Sequence, residues 1–201
     1  MKKNLFSWMS FLMMAFVCVG FAACGGDDDG GNGGGSGSGS GTIQGDGKSY
    51  NFNNAYFYAE KSGGKTQYII EVYNCDYYAA MQKHDANMIP NVLQSMNVIF
   101  KAEGSTSEIP TGEFLPFEAL VVSMDKDAMI SGSDDHGEQY IAYSETVPVK
   151  ISKSGDNYTI SFDKVDFTNV FSGNDHSVVF SSGFSYTGRI ASVPKEYFSV
   201  E

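Results

Sequence analysis

Hydrophobic and polar positions alternate with period two along most of the chain beyond Thr42, the pattern of strands that rest one face on a core. Tyr68, Ile70 and Val72 alternate with Ile69, Glu71 and Tyr73, and Met96, Val98 and Phe100 with Asn97, Ile99 and Lys101. Val147, Val149 and Ile151 stand against Pro148, Lys150 and Ser152. A turn at Ser154-Gly155-Asp156-Asn157 leads into Tyr158, Ile160 and Phe162, so this pair reads as a β-hairpin. Val178 and Phe180, then Phe184, Tyr186 and Ile190, continue the theme. Further strands are expected near Ser49–Tyr58, Glu118–Met124 and Gln139–Tyr143. The count is roughly nine strands with little helix, which predicts an all-β fold, an antiparallel two-sheet sandwich. A lipocalin-like barrel, with room for a small apolar ligand inside, gives the same alternation. Pro148 is expected at an edge, because proline cannot donate to a ladder.

Alternation fails between Cys75 and Asn91. Tyr77, Ala80, Met81 and His84 fall at helical spacing, so a short helix or structured loop belongs there. Such an insertion on a sheet scaffold is a place for binding residues. The plainer reading is that Tyr77 and Met81 cap an open end of the core. Glycine and proline punctuate the next connection, Gly104 to Gly112.

The N-terminus is of another kind. Lys2 and Lys3 precede a mostly apolar run from Leu5 to Phe21, followed by small residues. These are the regions of a secretory signal. A transmembrane helix would need about 20 apolar residues; here Ser7 and Ser10 interrupt the run, and glycine and aspartate end it. Phe21-Ala22-Ala23-Cys24 resembles the lipobox of bacterial lipoproteins, with phenylalanine where leucine is more usual. The resemblance implies removal of residues 1–23, lipid attachment at Cys24 and anchoring in a membrane through several acyl chains. Gly25-Gly26-Asp27-Asp28-Asp29 resembles the acidic export signal of Bacteroidetes lipoproteins. It implies delivery to the outer face of the outer membrane.

Gly30 to Gly41 is almost pure glycine and serine, so residues 24–41 read as a lipidated, flexible tether. Its reach is roughly 20–25 Å by random-coil scaling. Residues 42–201 are then one all-β domain, long enough to bury a core without staples. Cysteine usage agrees: Cys18 lies in the signal and Cys24 carries lipid, leaving Cys75 alone. It reads as a small buried hydrophobe before it reads as a nucleophile. Without Lys2 and Lys3, 11 basic residues face 24 acidic ones, a net charge of −13. Arg189 is the single arginine and no basic cluster exists, which argues against nucleic acid as a partner.

Catalytic and metal signals are sparse, and no cofactor is implied. His84, His136 and His176 lie 52 and 40 residues apart, far from zinc-site spacing. No Gly-x-Ser-x-Gly elbow is present. Asp125, Asp127, Ser131, Ser133, Asp134, Asp135 and Glu138 form the densest polar cluster, a weak calcium candidate. Its spacing departs from an EF-hand, with Ile130 where the turn glycine belongs. A solvated hairpin loop explains it as well. Paired carboxylates for glycoside hydrolysis have no distinguishing placement.

Aromatics are the compositional excess, with 12 tyrosines and 15 phenylalanines. Most sit on alternating strand positions, where they pack. Asn74, Asp76, Tyr77 and Tyr78 lie off that pattern and form the candidate ligand patch, since tyrosines stack on sugars and anchor protein contacts. Three function classes follow: a non-enzymatic binding or accessory module for a glycan, peptide or envelope protein; a structural or adhesive envelope component; and a hydrolase. The first fits best.

Overall fold

The computed structural model describes residues 37–127, 137–170 and 177–194. They form an all-β fold. Its strands are β1 (Gly39–Gly45), β2 (Lys48–Phe52), β3 (Asn54–Ser62), β4 (Lys65–Tyr73), β5 (Val92–Ala102), β6 (Gly112–Phe114), β7 (Phe117–Asp125), β8 (Glu138–Ser144), β9 (Val149–Ser154), β10 (Asn157–Asn169), β11 (Val178–Gly188) and β12 (Ala191–Ser192). Between β4 and β5 lie one short helix, α1 (Tyr77–Gln82), and a 3₁₀ turn, Ala86–Met88.

These strands belong to one hydrogen-bonded sheet rather than two. Its order is β12-β3-β4-β5-β7-β8-β10-β11-β1-β2, with β9 added to β10 and β6 added to β9. The sheet curls into a half-barrel. All ladders are antiparallel except β12 on β3, which makes the sheet mixed. The described residues hold twelve strands rather than nine. Part of the excess comes from Ser49–Tyr58, which Asn53 divides into β2 and β3. Pro148 precedes β9 and so stays out of its ladders with β10 and β6.

Local chemistry sets the turns. Asp46 and Gly47 both have positive φ, 51° and 70°, as do Gly63 and Gly64, at 59° and 84°. Two left-handed residues make the tight turns whose twist suits a hairpin, and these join β1 to β2 and β3 to β4.

The concave face holds the main core. Tyr50, Tyr68, Phe100, Phe117, Phe167 and Tyr186 are all fully buried. Aromatic rings run through it in series: Tyr68 stacks on Phe100 at 5.3 Å and Phe100 on Phe114 at 4.7 Å, while Phe117, Phe162 and Phe184 follow at 5.1 and 5.5 Å. Where a barrel of this class would hold an apolar ligand, this interior is packed with side chains.

The β1–β2 hairpin covers one end. Asn53 N–H donates to Tyr73 O of β4 at 2.9 Å, Asn51 N–H to Gln94 Oε1 of β5 at 3.3 Å, and Lys48 pairs with Glu138 of β8. From β4 to β8 is three inter-strand gaps, about 14 Å, and Lys48 to Asn53 spans about 16 Å of extended chain. The lengths match, so β2 lies across the ends of these strands. At the other end Tyr68 Oη donates to Ser105 O at 2.6 Å, and Ile109 enters the core.

Candidate functional site

β4 departs from simple alternation. Every position from Thr66 to Tyr73 is buried, so both of its faces are covered. The concave side carries Tyr68, Ile70 and Val72. The convex side carries Ile69, Glu71 and Tyr73. Register places Tyr56 and Tyr58 of β3 beside Glu71 and Ile69, and Asn97 and Ile99 of β5 on their other flank. The segment after β4 folds back over this convex face. Tyr56, Tyr73, Ala80, Ile89, Leu93 and Val193 form a second small core there.

Asp76 begins the cover. Its carboxylate accepts from Ala79 N–H at 3.0 Å, capping α1, and from Tyr56 Oη at 2.5 Å, tying the helix to β3. The cap supplies one of the donors' partners that a helix start lacks. Tyr77 stacks on Tyr73, with centroids 4.8 Å apart and planes within 13°, and Tyr78 lies 5.8 Å from Tyr56. Asn74 bridges strand ends: its Nδ2 donates to Val92 O at 2.9 Å and its Oδ1 accepts from Gln94 N–H at 3.0 Å. The four residues of the candidate patch are thus brought together, each with a structural partner. Tyr77 and Tyr78 remain partly exposed. They cover the convex face rather than an open end of the main core.

Glu71 is the acidic residue of the buried set, 2% exposed. Tyr73 Oη donates to its Oε2 at 2.6 Å. Burial pushes the carboxyl up to about 7, against the smaller opposing effect of that hydrogen bond. Opposite it in register, Asn97 is 3% exposed, and its Oδ1 is buried with no donor. Tyr73 and Tyr77 are pushed well above the usual phenol range, first by burial and then by the carboxyl of Glu71. The alternation made Glu71 a solvent-facing position. The signal that it is not lies in its neighbours: Ile69 and Tyr73 share its face, and apolar residues at both parities mark a strand covered on two sides.

Other candidates fall elsewhere. Burial and then Asp76 push the Cys75 thiol up to about 11, the opposite of activation for nucleophilic work. His84 stands exposed after α1 in a left-handed conformation, φ 51°. Of the acidic cluster, Asp125 ends β7 and accepts from Asp127 N–H at 2.8 Å, and Glu138 pairs with Lys48. Asp134, Asp135, His136 and His176 lie outside the described residues, as does Cys24. Among the described residues no group of three His, Cys, Asp or Glu side chains is disposed to hold a metal ion. No helix among them is long and apolar enough to cross a membrane.

Comparison with protein-family models, curated proteins and solved structures finds no match. Among the described residues, the convex face sets the Tyr73 phenol on the Glu71 carboxyl, with the Asn97 amide opposite it in register.

Proposed function

We propose that this chain is a lipid-anchored lipoprotein of the outer-membrane surface that works as a non-enzymatic binding module. The anchor is Cys24, and the ligand is a glycan, a peptide or an envelope protein. Support for the anchor comes from the lipobox-like Phe21-Ala22-Ala23-Cys24 and the acidic and Gly/Ser-rich residues after it. Support for binding rests chiefly on one observation: Tyr77 and Tyr78 are each set against a buried tyrosine and still partly exposed, so two aromatic rings stand pre-positioned at the surface. Rings fixed in advance lose little entropy on contact, which favours binding.

Two measurements test the reading. Cys24→Ala should move the protein from the membrane fraction to the soluble one; retention in the membrane would overturn the anchor. A glycan array probed with the whole chain, with and without calcium, should give a hit that weakens in Tyr78→Ala with unchanged circular dichroism. A hit untouched by Tyr77→Ala and Tyr78→Ala would remove this patch from the function. An empty array, together with an envelope protein that co-purifies, would assign the ligand to the protein class.

A further inference from the structure

The convex face carries a buried acid in a setting that the binding reading does not use. Glu71 sits beneath the cover formed by α1, with Tyr73 Oη on one carboxyl oxygen at 2.6 Å. No lysine, arginine or histidine pairs with it among the described residues. Across the β4–β5 ladder its register partner is Asn97, whose buried Oδ1 lacks a donor. An ionised Glu71 is acceptor-only and so cannot satisfy that oxygen. A carboxylic acid resolves this, because it donates one hydrogen while still accepting from Tyr73.

We infer that Glu71 is a proton latch: as a neutral acid it bonds Asn97 Oδ1 and holds α1 on the convex face, and on losing its proton it releases that cover. The charged form must find water, and the way to water is for the cover to open. Tyr77 transmits the change, because its ring lies on Tyr73 and Tyr73 is bonded to the acid.

The other groups on this face do not mimic the effect. β3 brings Tyr56 and Tyr58, with Glu60 farther along. β4 brings Tyr73, and α1 brings Tyr77 with Cys75 and Asp76 ahead of it. Burial raises these phenols and the thiol, so they stay neutral through the acid range. From β5 Lys101 donates to Ser62 Oγ at 3.3 Å, and from β7 Glu118 is raised by burial and lowered by Lys101. His84 is exposed on the turn after α1. A comparison of wild type with Glu71→Gln cancels the contributions of Glu118, Asp76 and His84.

The sign follows from linkage. The closed form holds its proton up to about pH 7, whereas an opened form releases it near the ordinary 4.5. Stability of the cover is therefore fully present below about 4.5, declines as pH rises, and reaches its low plateau above about 7. Hydrogen exchange on the whole chain should show the α1 amides of Ala80 and Lys83 losing protection, corrected for intrinsic rates, about tenfold per pH unit across that window. Glu71→Gln, neutral at every pH, should abolish the slope. A flat wild-type profile, or the same slope in Glu71→Gln, would overturn the latch. A carboxyl-carbon NMR titration of the wild type decides the matter even if the variant does not fold: Glu71 titrating near 4.5 would also overturn it.

Discussion

Tyr73 and Glu71 lie two residues apart on the convex face of β4 and are joined by a hydrogen bond of 2.6 Å from phenol to carboxyl. The bond is the one polar contact that works against burial in setting the acidity of Glu71. Tyr73→Phe should therefore raise the carboxyl above about 7 and extend the pH-sensitive window of the α1 cover upward. It should also cost about 1–2 kcal/mol in urea melts at neutral pH, the ordinary loss of a buried hydrogen bond to an ionisable group. A window that moves down instead would mean the phenol does not act on this acid.

Asp76 serves two partners, the helix start and Tyr56 Oη. Asp76→Ala loses a cap and strands a buried hydroxyl, for a cost of about 2–4 kcal/mol. Asp76→Asn retains the acceptor and should stay within about 1 kcal/mol of wild type. Chemical denaturation of both variants checks the contrast; equal losses would separate the effect from hydrogen bonding.

Cys75 should label slowly. With its thiol pushed up to about 11 from 9.0, the thiolate at pH 8 is about a hundredfold scarcer than in an unfolded peptide. Maleimide or iodoacetamide rates measured against the urea-unfolded chain test this. A folded rate equal to the unfolded one would place Cys75 at an open surface.

Glycine has different work at different positions. A Cβ on Gly188 would sit 2.3 Å from Ser38 O and 2.4 Å from Gly39 Cα, whereas one on Gly155 meets open space at φ 59°. Gly188→Ala should cost about 2–3 kcal/mol through displaced backbone, and Gly155→Ala about 1 kcal/mol through its left-handed turn. Thermal melts of the two proteins would show the order.

Those glycines also show where sequence reading ran out. The run to Gly41 reads as tether, yet β1 begins at Gly39, and Gly39–Gly41 pair with Tyr186–Gly188 of β11. Composition tells that glycine permits flexibility; it does not tell that two backbones need glycine to approach. The all-β class was legible because Tyr158, Ile160 and Phe162 alternate cleanly with polar residues, and they, like Tyr68, Ile70 and Val72, face the core. The single curled sheet was not, since alternation records which face is buried and carries no record of which strand lies beside which. In the same way Asn74, Asp76, Tyr77 and Tyr78 stood out by breaking the pattern, whereas Glu71 obeyed it. Its burial depends on a cover contributed by later residues, and strand periodicity does not register a third layer.

The pairing of β1 with β11 joins segments from opposite ends of the described chain. Gly39 finds its partner at Gly188, almost the full length of the described chain away. Contacts of such separation are slow to form, because the intervening chain must be confined before they are rewarded. A chain delivered from its N-terminus could pair β1 with β2 at once, but the other edge of β1 would stay open until β11 emerged. Closing that edge is then a late contact, and the sheet reaches its full width only when both distant segments are in place.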